Sequence, residues 1–281
     1  MQTTTLIPPA GQPSLPMHLA RALRAVVGRE IGRFLRQPSR LGSALVRPLL
    51  WFVVFSAGFH NVFGVAIVPP YETYIEYKVY MVPGLLGMVA LFNGMQSSLS
   101  MVYDREMGVM RLLLTAPLAR GWLLAFKLLA GTCLSVLQMV VFLAISWAFG
   151  VEIPLLYLPG LLVAMACGAT LLAALGLMLS VYVKQLENFA GTMNFVIFPM
   201  FFISPALYPL WKLEESGAVW LLKLAEFNPF THAVEAMRFA MYGQFNATSW
   251  AVVVGCSIVF FVLALWGYDP QRGWIRQKGG A

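Results

Sequence analysis

The residues that most often carry catalysis are scattered in this sequence. The three histidines, His18, His60 and His232, lie far apart in the chain, and no cluster of histidines and carboxylates surrounds them. An enzyme embedded in a membrane, such as a transferase or a protease, would need a cluster of this kind. The sequence therefore offers no candidate catalytic residue.

Signals for metal and nucleotide binding are missing as well. Cys133, Cys167 and Cys256 stand singly inside apolar runs, without the spacing of metal ligands, so we interpret them as small packing residues and predict no metal site. The sequence lacks the G-x-x-x-x-G-K-[ST] pattern of a phosphate-binding loop. It thus gives no sign that the chain hydrolyses ATP itself, and we predict no cofactor in this chain.

The composition indicates an integral membrane protein. The chain is 59% hydrophobic and only 11% charged, and its mean hydropathy is +0.75, whereas a soluble domain carries about 25% charged residues. The net charge of +7 does not indicate nucleic acid, because the charges flank long apolar runs. We predict an all-α fold with six transmembrane helices, each reaching the roughly 20 residues that a span requires, at 41–63, 79–103, 123–149, 156–183, 189–210 and 249–268.

The N-terminal region divides into two segments. Residues 1–17 are polar and proline-rich, which predicts a disordered tail. Residues 18–37 alternate apolar and basic residues at helical spacing, which predicts an amphipathic helix lying on an anionic membrane surface. An ordinary solvated helix face is the alternative. The proposed membrane-surface residues are Arg21, Arg24, Arg29, Arg33 and Arg36.

The distribution of lysine and arginine predicts the orientation. Most of the 19 basic residues lie on the side that carries both termini and residues 104–117. The positive-inside rule places that side, including a basic tail at 269–281, in the cytoplasm. Arg47 and Lys127 fall inside predicted spans, where they either snorkel to the headgroups or act as buried functional charges.

Residues 104–117 predict a short helix outside the bilayer. Asp104 is the expected N-cap, Glu106 lies in the first turn, Arg111 lies near the other end, and Pro117 stops the helix. The alternative is a plain turn between two spans. A simple turn needs only about five residues and no apolar face.

The fifth predicted span is irregular in its outer half. It contains Pro199, Pro205 and Pro209, and broken backbone at membrane depth must be covered by protein or line a cavity. After a connection, Asn228 is placed to cap a helix that has Pro229 at its first position. That helix, 229–242, is either part of an outer gate formed by 205–243 or a loop helix with one surface ion pair. The candidate gate residues are Phe202, Pro205, Tyr208, Asn228, Pro229, Phe230, Glu235 and Arg238.

Three stretches resemble a known family. They are YDREMGVMRLLLTAPLAR (103–120), NFVIFPMFFISPALYPL (194–210) and FNPFTHAVEAMRFAMYG (227–243), and together they resemble the permease subunits of type-2 ABC exporters for polysaccharides, nodulation factors and drugs. The resemblance implies that 104–117 is a coupling helix seated in a cleft of a separate ATPase subunit. The coupling residues that it implies are Asp104, Arg105, Glu106, Gly108, Arg111, Leu113 and Pro117.

The resemblance further implies an assembly. Two copies of this chain would pair with two ABC ATPase subunits, which would bind ATP and Mg, in the bacterial cytoplasmic (inner) membrane. The region after the fifth span would form short re-entrant or surface helices at the outer mouth. Two other functions stay open from the residues alone, a non-transporting membrane scaffold or assembly factor and a secondary transporter. Few ionisable residues in the span cores and no convincing repeat between the halves weigh against the latter.

Overall fold

The computed structural model describes residues 15–36, 38–58, 64–65, 69–71, 75–107, 120–183 and 185–268. These residues are mostly helical. The helices are α1 (Leu15–Leu35), α2 (Pro38–Gly58), α3 (Tyr77–Glu106), α4 (Arg120–Ala148), α5 (Leu158–Tyr182), α6 (Leu186–Phe202), α7 (Trp211–Glu215), α8 (Val219–Phe227), α9 (Pro229–Met241) and α10 (Ala247–Gly267). A 3₁₀ turn, Leu155–Tyr157, precedes α5.

Four helices in the described part of the chain are long and apolar enough to cross a membrane. They cover Tyr77–Tyr103, Gly121–Ala148, Leu155–Tyr182 and Ala247–Gly267. These are the second, third, fourth and sixth of the predicted spans. The prediction of a helical membrane protein is therefore confirmed.

The first and fifth predicted spans differ from these four. The apolar part of α2 covers only Leu45–Gly58, and residues 59–63 lie outside the described residues. Helix α6 has 17 residues and ends at Phe202, so it is about 26 Å long, less than the roughly 30 Å of a hydrocarbon core. The predicted span 189–210 is helical only as far as Phe202, and the irregular backbone expected in its outer half begins there.

The centre of the bundle is α5, which packs against α3, α4, α9 and α10. Small residues allow this close packing. A Cβ atom on Gly94 of α3 would lie 2.9 Å from backbone atoms of Leu172 and Ala173 on α5, and a Cβ on Gly176 would lie 2.8 Å from the carbonyl oxygen of Gly94. The two backbones therefore touch directly where α3 and α5 cross.

Helix α1 packs against α4 and α2 and covers Leu15–Leu35, where the sequence predicts a helix at 18–37. Its location on a membrane surface stays a prediction. Arg21, Arg24 and Arg29 of α1 are exposed, and so is Arg36 directly after the helix. The side chain of Arg33 is not among those described. Residues 1–14 of the predicted tail 1–17 and the predicted tail 269–281 lie outside the described residues. The prediction of disorder is wrong at 15–17, which form the start of α1.

A two-residue antiparallel ladder departs from the purely helical prediction. Strand β1 (Gly64–Val65) pairs with β2 (Ile75–Glu76), with Gly64 opposite Glu76 and Val65 opposite Ile75. The ladder leads directly into α3. We use the two ends of α3 to name the two ends of the bundle, the Tyr77 end and the Glu106 end.

We predict that Gly94→Ala destabilises the bundle. The added methyl group would collide with the α5 backbone, which cannot rotate away, and overpacking of this kind costs about 1–3 kcal/mol. Gly255→Ala in α10 is the matched control, because a Cβ there meets nothing within 4 Å and alanine favours helix by about 1 kcal/mol. Thermal unfolding in detergent should give a lower melting temperature for Gly94→Ala only. Equal melting temperatures would contradict the close crossing.

Candidate functional site

The site is built around the backbone where α6 ends. Asn228 lies beside this end, and its side-chain amide donates hydrogen bonds to the carbonyl oxygens of Met200 and Ile203, both at 2.7 Å. Its Oδ1 accepts a hydrogen bond from the backbone N–H of Phe230 at 3.0 Å. One side chain thus caps the C-terminus of α6 and the N-terminus of α9, which confirms the predicted cap at Asn228 and Pro229.

After Phe202 the chain continues as a non-helical segment, residues 203–210, which we call the bent segment. Arg238 donates from Nη2 to the carbonyl oxygen of Pro205 at 2.5 Å, and the Tyr80 hydroxyl donates to the same oxygen at 3.0 Å. The Tyr77 hydroxyl donates to the carbonyl oxygen of Leu207 at 2.7 Å. We call these three side chains, together with Asn228, the clasp.

Two further bonds come from within the bent segment. Ser204 Oγ donates to the carbonyl oxygen of Phe201 at 2.6 Å, and the Tyr208 hydroxyl donates to that of Phe202 at 2.5 Å. Backbone groups freed by the end of a helix are costly at membrane depth unless they find partners within the protein. The clasp and these internal bonds supply such partners, so the break can persist.

Arg238 is held from several directions. Its Nη1 donates to Glu235 one turn earlier, and its guanidinium lies over the Tyr80 ring at 4.1 Å from the centroid. The side chains of Arg238 and Glu235 are only 4% and 18% exposed. The alternative of a surface ion pair is therefore wrong, because α9 is packed against α3, α5 and α10 rather than lying outside the bundle.

Helix α9 runs from the interior toward the Tyr77 end. The Phe230 ring packs beside Gly87, which lies about 15 Å along α3 from Tyr77. Arg238, two turns later, packs against Tyr80 near the end of the bundle. Helix α9 therefore lies inside the bundle, between its middle and the Tyr77 end.

The predicted gate residues separate into two groups. Phe230 is 0% exposed and contacts Phe201 inside the protomer, so it cannot form part of a closing surface between chains. Phe202 is 43% exposed, and Tyr208 is half-buried. Pro205 lies in the bent segment, Asn228 caps α9, and Pro229, Glu235 and Arg238 lie on α9.

At the Glu106 end, the predicted start of the coupling helix is wrong. Asp104, Arg105 and Glu106 form the last turn of α3, which ends at a C-cap on Met107. Asp104 is therefore not an N-cap, because the apolar helix before it simply continues. Gly108, Arg111, Leu113 and Pro117 lie outside the described residues, so their coupling role stays a prediction.

Arg105 and Glu106 join three helices. Arg105 Nη2 donates to the carbonyl oxygen of Ser180 in the last turn of α5 at 2.5 Å. Glu106 Oε1 accepts from the backbone N–H of Leu186, the first residue of α6, at 2.8 Å. Burial lowers the pKa of Arg105, an effect that Tyr268 and Glu106 oppose. A carboxylate at a helix N-terminus and a cation at a helix C-terminus both complement the helix dipole.

Sequence reasoning missed a polar cluster in the middle of the bundle. Asn93 of α3 donates to Ser135 Oγ at 2.7 Å, and its Oδ1 accepts from Gln138 Nε2 at 3.2 Å. These three residues are buried. Ionisable residues in the spans do not reveal this cluster, because its members are uncharged. The signal that could have found it is the presence of uncharged polar residues inside apolar runs.

We predict that Asn228→Asp destabilises the protein, although the two side chains have the same shape. The carboxylate can still cap α9 but cannot donate to Met200 and Ile203, and each buried carbonyl left without a partner costs about 1–3 kcal/mol. Asn246→Asp is the control, since Asn246 only accepts a hydrogen bond, from Ser249 N–H, at the start of α10. The melting temperature in detergent should fall for Asn228→Asp alone. A similar effect of both substitutions would contradict the role of Asn228 in capping both α6 and α9.

Comparison with known proteins agrees with this arrangement. The family model described as ABC-2 type transporter matches residues 21–242. The chain is 28% identical over 262 residues to a putative transport permease, ycf38, of Pyropia yezoensis, covering 88% of this chain and 85% of that protein.

Two bacterial permeases are also similar. The daunorubicin resistance ABC transporter permease protein DrrB1 of Streptomyces coeruleorubidus is 26% identical over 232 residues, which are 80% of this chain and 74% of that protein. The probable multidrug ABC transporter permease YbhR of Escherichia coli (strain K12) is 27% identical over 175 residues, 60% of this chain and 45% of that protein. Since the family model covers most of its length, this chain belongs to the ABC-2 type transporter family and is a transport permease.

Proposed function

We propose that this chain is the transmembrane subunit of an ATP-driven exporter, that it forms the translocation pathway as a dimer, and that a separate ABC ATPase subunit drives it. The ATPase would bind ATP and Mg, and this chain would have no enzymatic activity. The observation that carries the proposal is the path from Glu106 through α6 to the clasp, within a chain of the ABC-2 family.

The path begins at the segment that would meet the ATPase. Residues 108–117 follow α3 directly, and Glu106 at the end of α3 is bonded to the first residue of α6. A displacement of the segment would therefore be transmitted to α6. Because a helix transmits displacement along its axis with little compression, the other end of α6 would move with it.

The path ends at the clasp. Asn228 holds the last turn of α6, and the bent segment continues from there toward the Tyr77 end. The clasp consists of hydrogen bonds, which can be exchanged for other partners during a cycle more readily than a packed apolar core can rearrange. We assign the outer gate to the bent segment with Phe202 and Tyr208, and we keep Phe230 as a buried support.

Orientation and location belong to the same proposal. The Lys/Arg distribution supports placing the Glu106 end and both termini in the cytoplasm of a bacterial inner membrane, with α1 and its exposed arginines against anionic lipid. The names of DrrB1 and YbhR, which refer to drug resistance and multidrug transport, favour export. A scaffold or a secondary transporter would not need an ATPase, and this difference separates the alternatives.

The experiment that tests the function is co-purification. The tagged full-length chain, extracted from its own host in mild detergent, should bring along a protein with a phosphate-binding loop. Leu113→Asp should lose that partner while still inserting in the membrane, because burying an unpaired carboxylate in the ATPase cleft costs several kcal/mol. Leu156→Asp on an exposed turn at the Tyr77 end should keep it. If no ATPase co-purifies with the wild-type chain, the proposal is refuted.

We further predict that Glu106→Ala uncouples the complex. The reconstituted variant should hydrolyse ATP but transport poorly, because the hydrogen bond that joins the start of α6 to the end of α3 is lost. Glu106→Gln should restore transport substantially, since its amide oxygen can accept the same bond from Leu186. Glu187→Ala, an exposed carboxylate in the first turn of α6, is the matched control and should behave as wild type. If Glu106→Ala transports as much substrate per ATP hydrolysed as the wild type does, this hydrogen bond has no part in the mechanism.

A further inference from the structure

Arg47 of α2 is an exposed cation within the bundle's apolar surface. Its guanidinium lies over the Phe92 ring of α3, 3.8 Å from the centroid, and in the part of the chain that the structure describes it forms no ion pair with a carboxylate. The sequence shows why, since α2 and the four candidate spans contain no Asp or Glu at all, and α6 has only Glu187 in its first turn.

The depth of Arg47 follows from its contact with Phe92. By helical rise, Phe92 lies about 22 Å along α3 from Tyr77 and about 16 Å from Tyr103. The guanidinium therefore lies near the middle of a span and not at the level of the headgroups. Snorkelling to the Glu106 end, one of the two expectations for Arg47, is not the conformation that the structure shows.

Aromatic side chains continue from Arg47 toward the bent segment. Arg47, Trp51 and Phe55 are spaced four residues apart, so they share one face of α2. Trp51 stacks on Phe55 with centroids 4.9 Å apart and meets Phe202 edge-on at 5.8 Å, while Phe198 stacks on Phe202 at 6.3 Å. We call Trp51, Phe55, Phe198 and Phe202 the aromatic lane.

The aromatic lane differs from a surface that only faces lipid. Helix α10 has such a surface, with exposed Val254, Ile258 and Val262, and it carries no charged residue. An uncompensated cation at membrane depth is costly and is retained where it has an anionic partner or a functional role. The candidate spans of a second copy would offer no carboxylate at that depth either, which favours an anionic partner that is not part of the spans.

We infer that Arg47 and the aromatic lane bind the transported substrate, and that this substrate is an amphipathic anion with a carboxylate or phosphate head and an apolar body. The head would pair with the guanidinium, which binds both groups well, and the body would lie along the lane for about 12 Å of α2. The lane leads to Phe202, where the bent segment begins. This assignment rests on the proposed function, because it names the cargo of the same pathway.

The test uses a fatty acid that carries a photoreactive diazirine, with the matched fatty alcohol as the uncharged probe. The full-length chain is placed in phosphatidylcholine nanodiscs without an ATPase, labelled over a range of probe concentrations, and mapped by mass spectrometry. We expect saturable labelling of α2 and α6 by the acid. Arg47→Gln should weaken labelling by the acid about tenfold, as expected for loss of one charge-assisted bond, and leave the alcohol unchanged.

Three controls decide the outcome. Arg47→Lys should retain most of the acid's labelling, and Lys127→Gln, which removes a cation from another span, should retain all of it. Equal labelling by acid and alcohol, or an unchanged Arg47→Gln variant, would overturn the assignment. Competition by phosphatidylglycerol in the nanodisc would show that Arg47 holds a bilayer headgroup. That result would also overturn the assignment. Because no ATPase is present, failure of the ATPase partnership would leave this result intact.

Discussion

The structure depends on how the backbone is hydrogen-bonded where α6 breaks inside the bundle. Ending a helix at Phe202 frees carbonyl oxygens that lipid cannot satisfy. Asn228 bonds the carbonyl oxygens of Met200 and Ile203 there. Arg238, Tyr80 and Tyr77 bond the carbonyl oxygens that follow in the bent segment. This requirement explains why α9 is packed inside the bundle and why an arginine lies there, paired with Glu235.

The same requirement connects the two ends of the molecule. Helix α6 is bonded to α3 at its first residue and to α9 at its last turn, so it is held at both ends by side chains of other helices. Between these ends Phe189, Ile197 and Phe201 pack into the bundle, whereas the outward face of α6 is largely exposed. A short rod attached at both ends is suited to transmitting small displacements, whereas the tight α3–α5 crossing at Gly94 and Gly176 is suited to staying fixed.

Much of the fold could be predicted from the sequence. Four spans are long apolar runs, and a run of about 20 apolar residues can only satisfy its backbone in lipid as a helix. The start of α9 could be predicted as well, because Asn228 followed by Pro229 is a local signal read within one turn. The proline-rich outer half of the fifth span correctly indicated irregular backbone, although the exact end of α6 was not evident.

What the sequence by itself determined were therefore the features that neighbouring residues encode, namely apolar runs, helix caps and the positions of charge. Only the tertiary structure decided that Asp104 continues α3, that Glu106 caps α6, and that Phe230 and Arg238 are buried. Glu106 and Arg238 bond Leu186 and Pro205, which are 80 and 33 residues away in the chain, and residue type does not specify which distant group will arrive. An arginine three residues after a glutamate has the same local pattern on an exposed face and in a core. Burial, which follows from packing of the whole bundle, makes the difference.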